Sequence, residues 1–197
     1  MQHAPLVSVV LPVHNAQPYL AVAIKSILLQ DYRNFELIAI DDGSRDQSLA
    51  QLVALQRQDA RIRLVSRENR GIVATLNEGI RLARGALIAR MDADDIAYPG
   101  RVAAQVAAFA RNPGLAICAS EYDLILSATR GLRFSQDHIA EGEFAARSVF
   151  HSVLGHPTVM LNRAVIGADQ LHYDPAYEFA EDFELFSRVG RTHPSLR

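Results

Sequence analysis

Met91-Asp92-Ala93-Asp94-Asp95 follows directly on the apolar run Ala86-Leu87-Ile88-Ala89. The run reads as a buried strand, and three carboxylates then fall within four positions. Acids at that density repel one another unless water screens them or a cation holds them. Two readings stand side by side for this stretch alone. One is a solvated acidic turn. The other is a place for a divalent ion, because magnesium, manganese and calcium take hard oxygen ligands and often need only one or two carboxylates beside a bound phosphate.

The chain upstream gives this stretch its setting. Leu6-Val7-Ser8-Val9-Val10-Leu11 is nearly all apolar and rich in β-branched residues, as a central strand covered on both faces should be. Leu20, Ala23, Ile24, Ile27 and Leu28 then recur at helical spacing behind Pro18. Phe35 to Ile40 is a second strand running into Asp41-Asp42-Gly43-Ser44. Ser44 and Gln47 have capping-box spacing, which predicts a helix from Ser44 to about Gln56. Ile62 to Val65 reads as a third strand, and Val73, Leu76, Ile80 and Ala83 line one face of a third helix. Gly85 stands where a C-terminal cap glycine belongs. Strand and helix therefore alternate through residue 95, which implies a parallel sheet with helices on both faces. Such sheets bind ligands beyond the carboxyl ends of their strands. Pro12-Val13-His14-Asn15, Asp41-Asp42 and Asp92-Ala93-Asp94-Asp95 all lie there.

The second half is less regular. It predicts a helix over Arg101–Asn112, a strand over Leu115–Ala119, edge strands or a hairpin between Tyr122 and Phe134, and a helix from Ile139 to Phe150. A short strand at Val159-Met160-Leu161 and a last helix opening at Ala180 complete the reading.

Composition excludes several classes. Lys plus Arg is 20 against 22 for Asp plus Glu, so nothing in the net charge of −2 argues for nucleic acid. The single cysteine, Cys118, excludes an internal disulfide and reads as a core thiol. No signal-peptide pattern opens the sequence and no run nears the ~20 apolar residues of a membrane span, so a cytoplasmic protein is expected. The loop after the first strand has no Gly-x-Gly-x-x-Gly, and no Gly-x-x-x-x-Gly-Lys or Gly-x-Ser-x-Gly occurs elsewhere.

What remains is a nucleotide at the sheet edge and a metal at the acids. Val7 to Asn15, Asp41 to Asp46, Asn69-Arg70-Gly71, Met91 to Asp95, Gly155-His156-Pro157-Thr158 and Ala180-Glu181-Asp182 occur in an order that resembles glycosyltransferase family 2. That family is inverting and nucleotide-sugar dependent, and it has the GT-A fold. The resemblance covers nearly the whole chain. It implies an α/β architecture: a Rossmann-like, mostly parallel central sheet with helices on both faces and a smaller mixed C-terminal acceptor region. Residues 1–95 would be the nucleotide-sugar half of one catalytic domain, and residues 96–197 the acceptor and catalytic-base half. Family members continue with a further strand and helices, so the chain reads as cut short at Arg197.

The resemblance also implies roles. Pro12, His14 and Asp42 would meet the nucleoside, with Arg70 on the nucleotide. Asp94 would bind Mn2+ or Mg2+, and Asp92 the ribose or the metal's water shell. Asp182 would be the catalytic base, with Glu181 beside it and His156 in the sugar or acceptor pocket. Plainer roles stand next to these: Asp42 as a helix cap, Arg70 as a surface residue, His156 as a satisfied structural histidine, and Glu181-Asp182 as acids favoured in a first helical turn. The implied partners are a nucleotide-diphosphate sugar, most simply a UDP-sugar, and a glycan or lipid-linked glycan acceptor. The implied setting is cell-surface polysaccharide synthesis at the inner face of the membrane, with peripheral membrane association and homo-oligomers left open. Two rivals are a sugar nucleotidyltransferase, whose Gly- and Lys/Arg-rich loop is missing here, and a non-catalytic nucleotide-sugar- or glycan-binding domain.

Overall fold

Seven buried residues in succession, Val7–Val13, form β1, and eight more, Phe35–Asp42, form β2. Strands this apolar on both sides need cover on both faces, and they receive it. Val7, Val9, Leu11, Leu37 and Ala39 point into one core layer; Val10, Ile38 and Ile40 point into the other. The computed structural model describes residues 4–127, 130–134, 154–193 and 195–196.

Helix α1 (Gln17–Leu28) and α2 (Ser48–Gln58) cover the first layer with α4 (Arg101–Arg111). Leu20, Ile24 and Ile27 of α1 are fully buried there, each contributing about 1.5–3 kcal/mol through apolar area removed from water. Helix α3 (Ile72–Leu82) and α6 (Glu181–Gly190) cover the second layer. With β3 (Ile62–Arg67), β4 (Leu87–Arg90), β5 (Ile117–Cys118), β8 (Met160–Asn162) and β9 (Ser195–Leu196), the sheet has seven strands in the order β3-β2-β1-β4-β8-β5-β9. Only β8 runs against its neighbours β4 and β5. A separate hairpin pairs β6 (Tyr122–Ser127) with β7 (Arg130–Phe134); the alternation predicts a hairpin around Gly131, but Gly131 lies within β7 opposite Ile125. A short α5 (Arg163–Ile166) follows β8. The predicted helix from Ile139 to Phe150 lies outside the described residues.

Two local expectations are overturned. Helix α2 begins at Ser48 rather than Ser44, and no capping box forms. The Ser44 hydroxyl instead accepts the Asn15 N–H (3.0 Å), while Asp46 accepts from the N–H groups of both Ser48 (2.9 Å) and Gln17 (3.0 Å). One carboxylate thus satisfies the first turns of two helices. Gly85 is not a left-handed cap either, because α3 ends at Leu82 with Ala83 extended. A side chain at Gly85 would put its Cβ 2.6 Å from the Leu6 carbonyl oxygen, so the glycine serves the close approach of β1.

Candidate functional site

The carboxyl ends of β1, β2 and β4 lie side by side, as the alternating pattern requires. At the end of β1, Pro12 is buried and paired with Ile40, beyond the β1–β4 ladder that stops at Val10. His14 is exposed. Its Nδ1 lies 2.9 Å from the Asp42 carbonyl oxygen and its Nε2 3.0 Å from the Asn15 amide nitrogen. A neutral ring protonated on Nδ1 satisfies both contacts. Asn15 takes a left-handed backbone (φ 52°) and accepts the Arg45 N–H on its side chain, which laces this loop to the one after β2.

Asp42 is the hinge of the loops at the end of β2. Its carboxylate, 4% exposed, accepts the N–H of Arg70 (2.9 Å) and of Gly71 (3.0 Å) and an ion pair from Arg67. It therefore caps the turn into α3, not the helix that follows it in sequence. Gly43 makes the approach feasible: φ is +71°, and a Cβ there would sit 2.7 Å from the Asn69 nitrogen. Arg70 is exposed, and its guanidinium borders a shallow groove of about 280 Å³ that Arg67, Asn77 and Arg81 also line.

At the end of β4 a cation sits under the acids. Arg90 is 6% exposed and donates from Nη1 to Asp92 Oδ2 at 2.5 Å, and its buried Nε has no partner. Asp94 is exposed and Asp95 half-buried. Burial first, and then the carboxylates of Asp92 and Asp94, push Asp95 up to about 6 against the pull of Arg90 and Arg101. The loop carrying these acids is tied to α1. Ala97 donates to the Ser26 hydroxyl, and Asp31 N–H to the Pro99 carbonyl. Gln30 holds the Tyr98 carbonyl with its amide and accepts the Val102 N–H at the start of α4.

The second acidic set comes from the other half of the chain. Glu181, Asp182 and Glu184 occupy the first turn of α6. Glu181 is 9% exposed with Oε2 unpartnered, and Asp182 Oδ1 accepts the Phe183 N–H at 2.7 Å. Between the two sets stands Tyr173, 1% exposed, whose hydroxyl lies 2.9 Å from His156 Nε2. Burial pushes that hydroxyl well above its usual value; Arg90 pulls it back, and Asp182, Glu181 and Asp92 push it further. Burial and the nearby Arg90 hold the His156 ring well below the usual histidine range, so it is neutral at pH 7. Charges at the end of β4 and at the start of α6 therefore both act on one buried hydroxyl. His156 is an internal post under that hydroxyl, flanked edge-on by Phe186 at 5.9 Å.

Among the described residues no group of three His, Cys, Asp or Glu side chains closes around one point. Asp94 is exposed, with Asp92 on the other side of Ala93 and Asp95 next to it. The residues fit a hard divalent cation that takes its remaining ligands from phosphate and water, and such a cation would relieve the repulsion recorded at Asp95.

Sequence reasoning missed the polar residues that hold these loops. Gln105 is 2% exposed and donates to the carbonyls of Cys118 (3.0 Å) and Thr158 (2.8 Å), joining α4 to β5 and to the His156 turn. Its signal was available: an amide between Val102, Val106 and Phe109 on the buried stripe of a helix. Asn77 donates to the Tyr173 carbonyl and accepts the Tyr173 N–H, both at 2.8 Å, across 96 positions of sequence. No local pattern announces that pairing.

The profile of glycosyl transferase family 2 matches residues 8–147. An uncharacterized glycosyltransferase of Haemophilus influenzae is 31% identical over 97% of this chain, which spans 62% of that relative's length. Glycosyltransferase GlyG of Streptococcus pneumoniae is 44% identical over 46% of this chain and 31% of its own. Among solved structures, S. aureus TarS 1-349 in complex with UDP superposes with a TM-score of 0.77 at 21% identity, covering 96% of this chain and 57% of that one. Mannosyltransferase PcManGT from Pyrobaculum calidifontis, in complex with GDP-Man and Mn2+, gives 0.75 at 16% identity over 99% and 55%. At such identities the likeness carries the fold, which is GT-A. The profile match takes in both acidic strand ends, at Asp42 and at Asp92, and more than half of the sequence: the chain belongs to glycosyl transferase family 2.

Proposed function

We propose that this chain is the catalytic core of an inverting glycosyltransferase that moves a sugar from a nucleotide diphosphate, a UDP-sugar first, to a hydroxyl of a glycan acceptor. The observation that carries the reading is the family 2 profile match over a parallel sheet whose β2 and β4 strand ends carry Asp42 and Asp92. Donor binding falls to the first half. The Asp42-held turn presents Arg70 to the nucleotide, with Pro12 and His14 at the end of β1 bounding the nucleoside side. Asp92 reaches the ribose or the metal's water shell, and Asp94 is the ligand for Mn2+ or Mg2+. A bound divalent ion supplies positive charge to the departing diphosphate.

Asp182 is the general base. Its carboxylate takes the proton from the acceptor hydroxyl as that oxygen attacks the anomeric carbon from the side opposite the diphosphate, so no sugar–enzyme bond forms. Glu181 stands next to it with an oxygen free for an acceptor or donor hydroxyl. His156 acts from behind, by fixing Tyr173. TarS with UDP or UDP-GlcNAc, and PcManGT with GDP-Man and Mn2+, support a nucleotide-sugar donor and a divalent metal. In this reading the product is a cell-surface or exported polysaccharide, made at the inner face of the membrane. No helix among the described residues is long and apolar enough to cross it.

A thermal-shift panel of UDP- and GDP-sugars with Mn2+ tests the donor reading. A ligand at 100 times its Kd should stabilise the fold by about 2.7 kcal/mol. Asp94→Ala should abolish the metal-dependent part of the shift, and an equal response in that variant would remove Asp94 from the metal.

A further inference from the structure

The segment leading into α6 is a tight turn with the wrong residue in it. Ala180 N–H donates to the Tyr177 carbonyl at 3.0 Å, which closes a four-residue turn. Glu178 has φ −56° and ψ 132°, and Phe179 follows at φ 68°. These are type II angles, and the third position of a type II turn belongs to glycine or asparagine. Phenylalanine there is strained, because its Cβ crowds the backbone at positive φ. The strain secures no packing: Phe179 is 92% exposed, and Tyr177 beside it is 50% exposed. An aromatic ring is thus held in solvent, against both backbone preference and hydrophobicity, two residues before Glu181. Strained residues of this kind gather where a ligand uses them.

The surroundings select the ligand. Asp174, Glu178, Glu181, Asp182 and Glu184 fall within a span of eleven residues that includes Phe179, with Glu184 paired to Arg188 and Glu181 largely buried. That many carboxylates repel a phosphate or an anionic lipid and suit a molecule with many hydroxyl donors. A pyranose offers both halves of the match: a face of C–H groups for the ring and hydroxyls for the acids. We propose that Phe179, with Tyr177 as its flank, is a stacking platform for the acceptor's pyranose ring at the mouth of the Asp182 site. The proposal rests on the reading of Asp182 as the base that faces the acceptor.

Saturation-transfer NMR on this chain tests it, with methyl glucoside, methyl galactoside and methyl N-acetylglucosaminide as probes and sorbitol as the open-chain control. Saturation of the ring protons of at least one pyranoside, without sorbitol, is expected. Phe179→Gly should keep or raise the Tm and weaken pyranoside binding about threefold to tenfold, the loss expected for one stacked ring. Phe179→Trp should retain it. Asp182→Asn should also retain it, so a failure of the base assignment would show separately, as undiminished transfer in that variant with saturation unchanged. No saturation in the parent, or equal saturation in the parent and Phe179→Gly, would overturn the platform.

Discussion

The two acidic centres of this molecule are built on opposite plans. Around Asp42 every carboxylate oxygen is taken: by two backbone N–H groups, by Arg67, and through Arg67 by Glu78 and Thr75. Around Arg90 and Glu181 polar atoms are buried without partners. Buried polar groups are almost always bonded, so unsatisfied ones mark a place where the fold stops short of its own stability. In the proposed reading the nucleotide end is held tightly at the Asp42 carboxylate, although Oδ1 of the neighbouring Asp41 is buried without a partner, and the transfer end keeps open polar atoms at Arg90 and Glu181.

Four substitutions sharpen or break that contrast. The largest effect should come from Asp182→Asn. If the transfer end holds the base, turnover falls about 10²–10⁴-fold while the melting shift with UDP-sugar and Mn2+ is kept. Undiminished turnover would dissolve the assignment. Next comes Asp42→Ala, which strips two N–H groups and leaves Arg67 with one carboxylate. Urea unfolding should show a loss of about 3–4 kcal/mol. A loss under ~1 kcal/mol would mean the nucleotide end is not held as described.

Glu36 belongs to the same saturated half. Burial alone would raise its pKa, yet the Arg84 side chain, the Ser8 hydroxyl, the Arg84 N–H and Arg63 bring it down to about 2 from 4.5. A folded value below the unfolded one stabilises above the unfolded pKa, and the stabilisation is lost as pH falls toward 2. Glu36→Gln should therefore cost about 2 kcal/mol at pH 7, with the gap to the parent closing between pH 4.5 and 2. A pH-independent gap would assign the effect to packing. The smallest change in stability is expected for Glu181→Gln, within about 0.5–1 kcal/mol, because Oε2 has no bond to lose. Its transfer rate should nonetheless drop, and a large stability loss with normal transfer would reverse the contrast.

The sequence carried the architecture because its signals are short-range. Apolar runs at Val7 and Phe35 and the helical stripes on α1, α3 and α4 each follow from local period, and the parallel order follows from alternation. The acids were legible for the same reason. The roles were harder. Asp42 reads locally as a cap for the next helix, yet its partners stand 28 and 29 residues on. The Ser44–Gln47 spacing was persuasive and wrong, because Asn15 competes for the Ser44 hydroxyl from another loop. Tyr173 had no signal at all; its place is set by Asn77 and His156, both distant in sequence. Nothing local in the sequence signals the left-handed backbone of Phe179.

The one reversed strand has a consequence for the chain as it is made. β4 (Leu87–Arg90) is made well before its outer partner β8, which arrives only with Met160 to Asn162. Until then the nascent sheet ends in an open apolar edge, Leu87-Ile88-Ala89, beside the charged Arg90. Open edges of that kind pair with other chains. A polypeptide released before residue 160 would therefore be a poor, aggregation-prone product, however complete its nucleotide end. Truncation of this chain has to keep β8 if the edge of β4 is to stay covered.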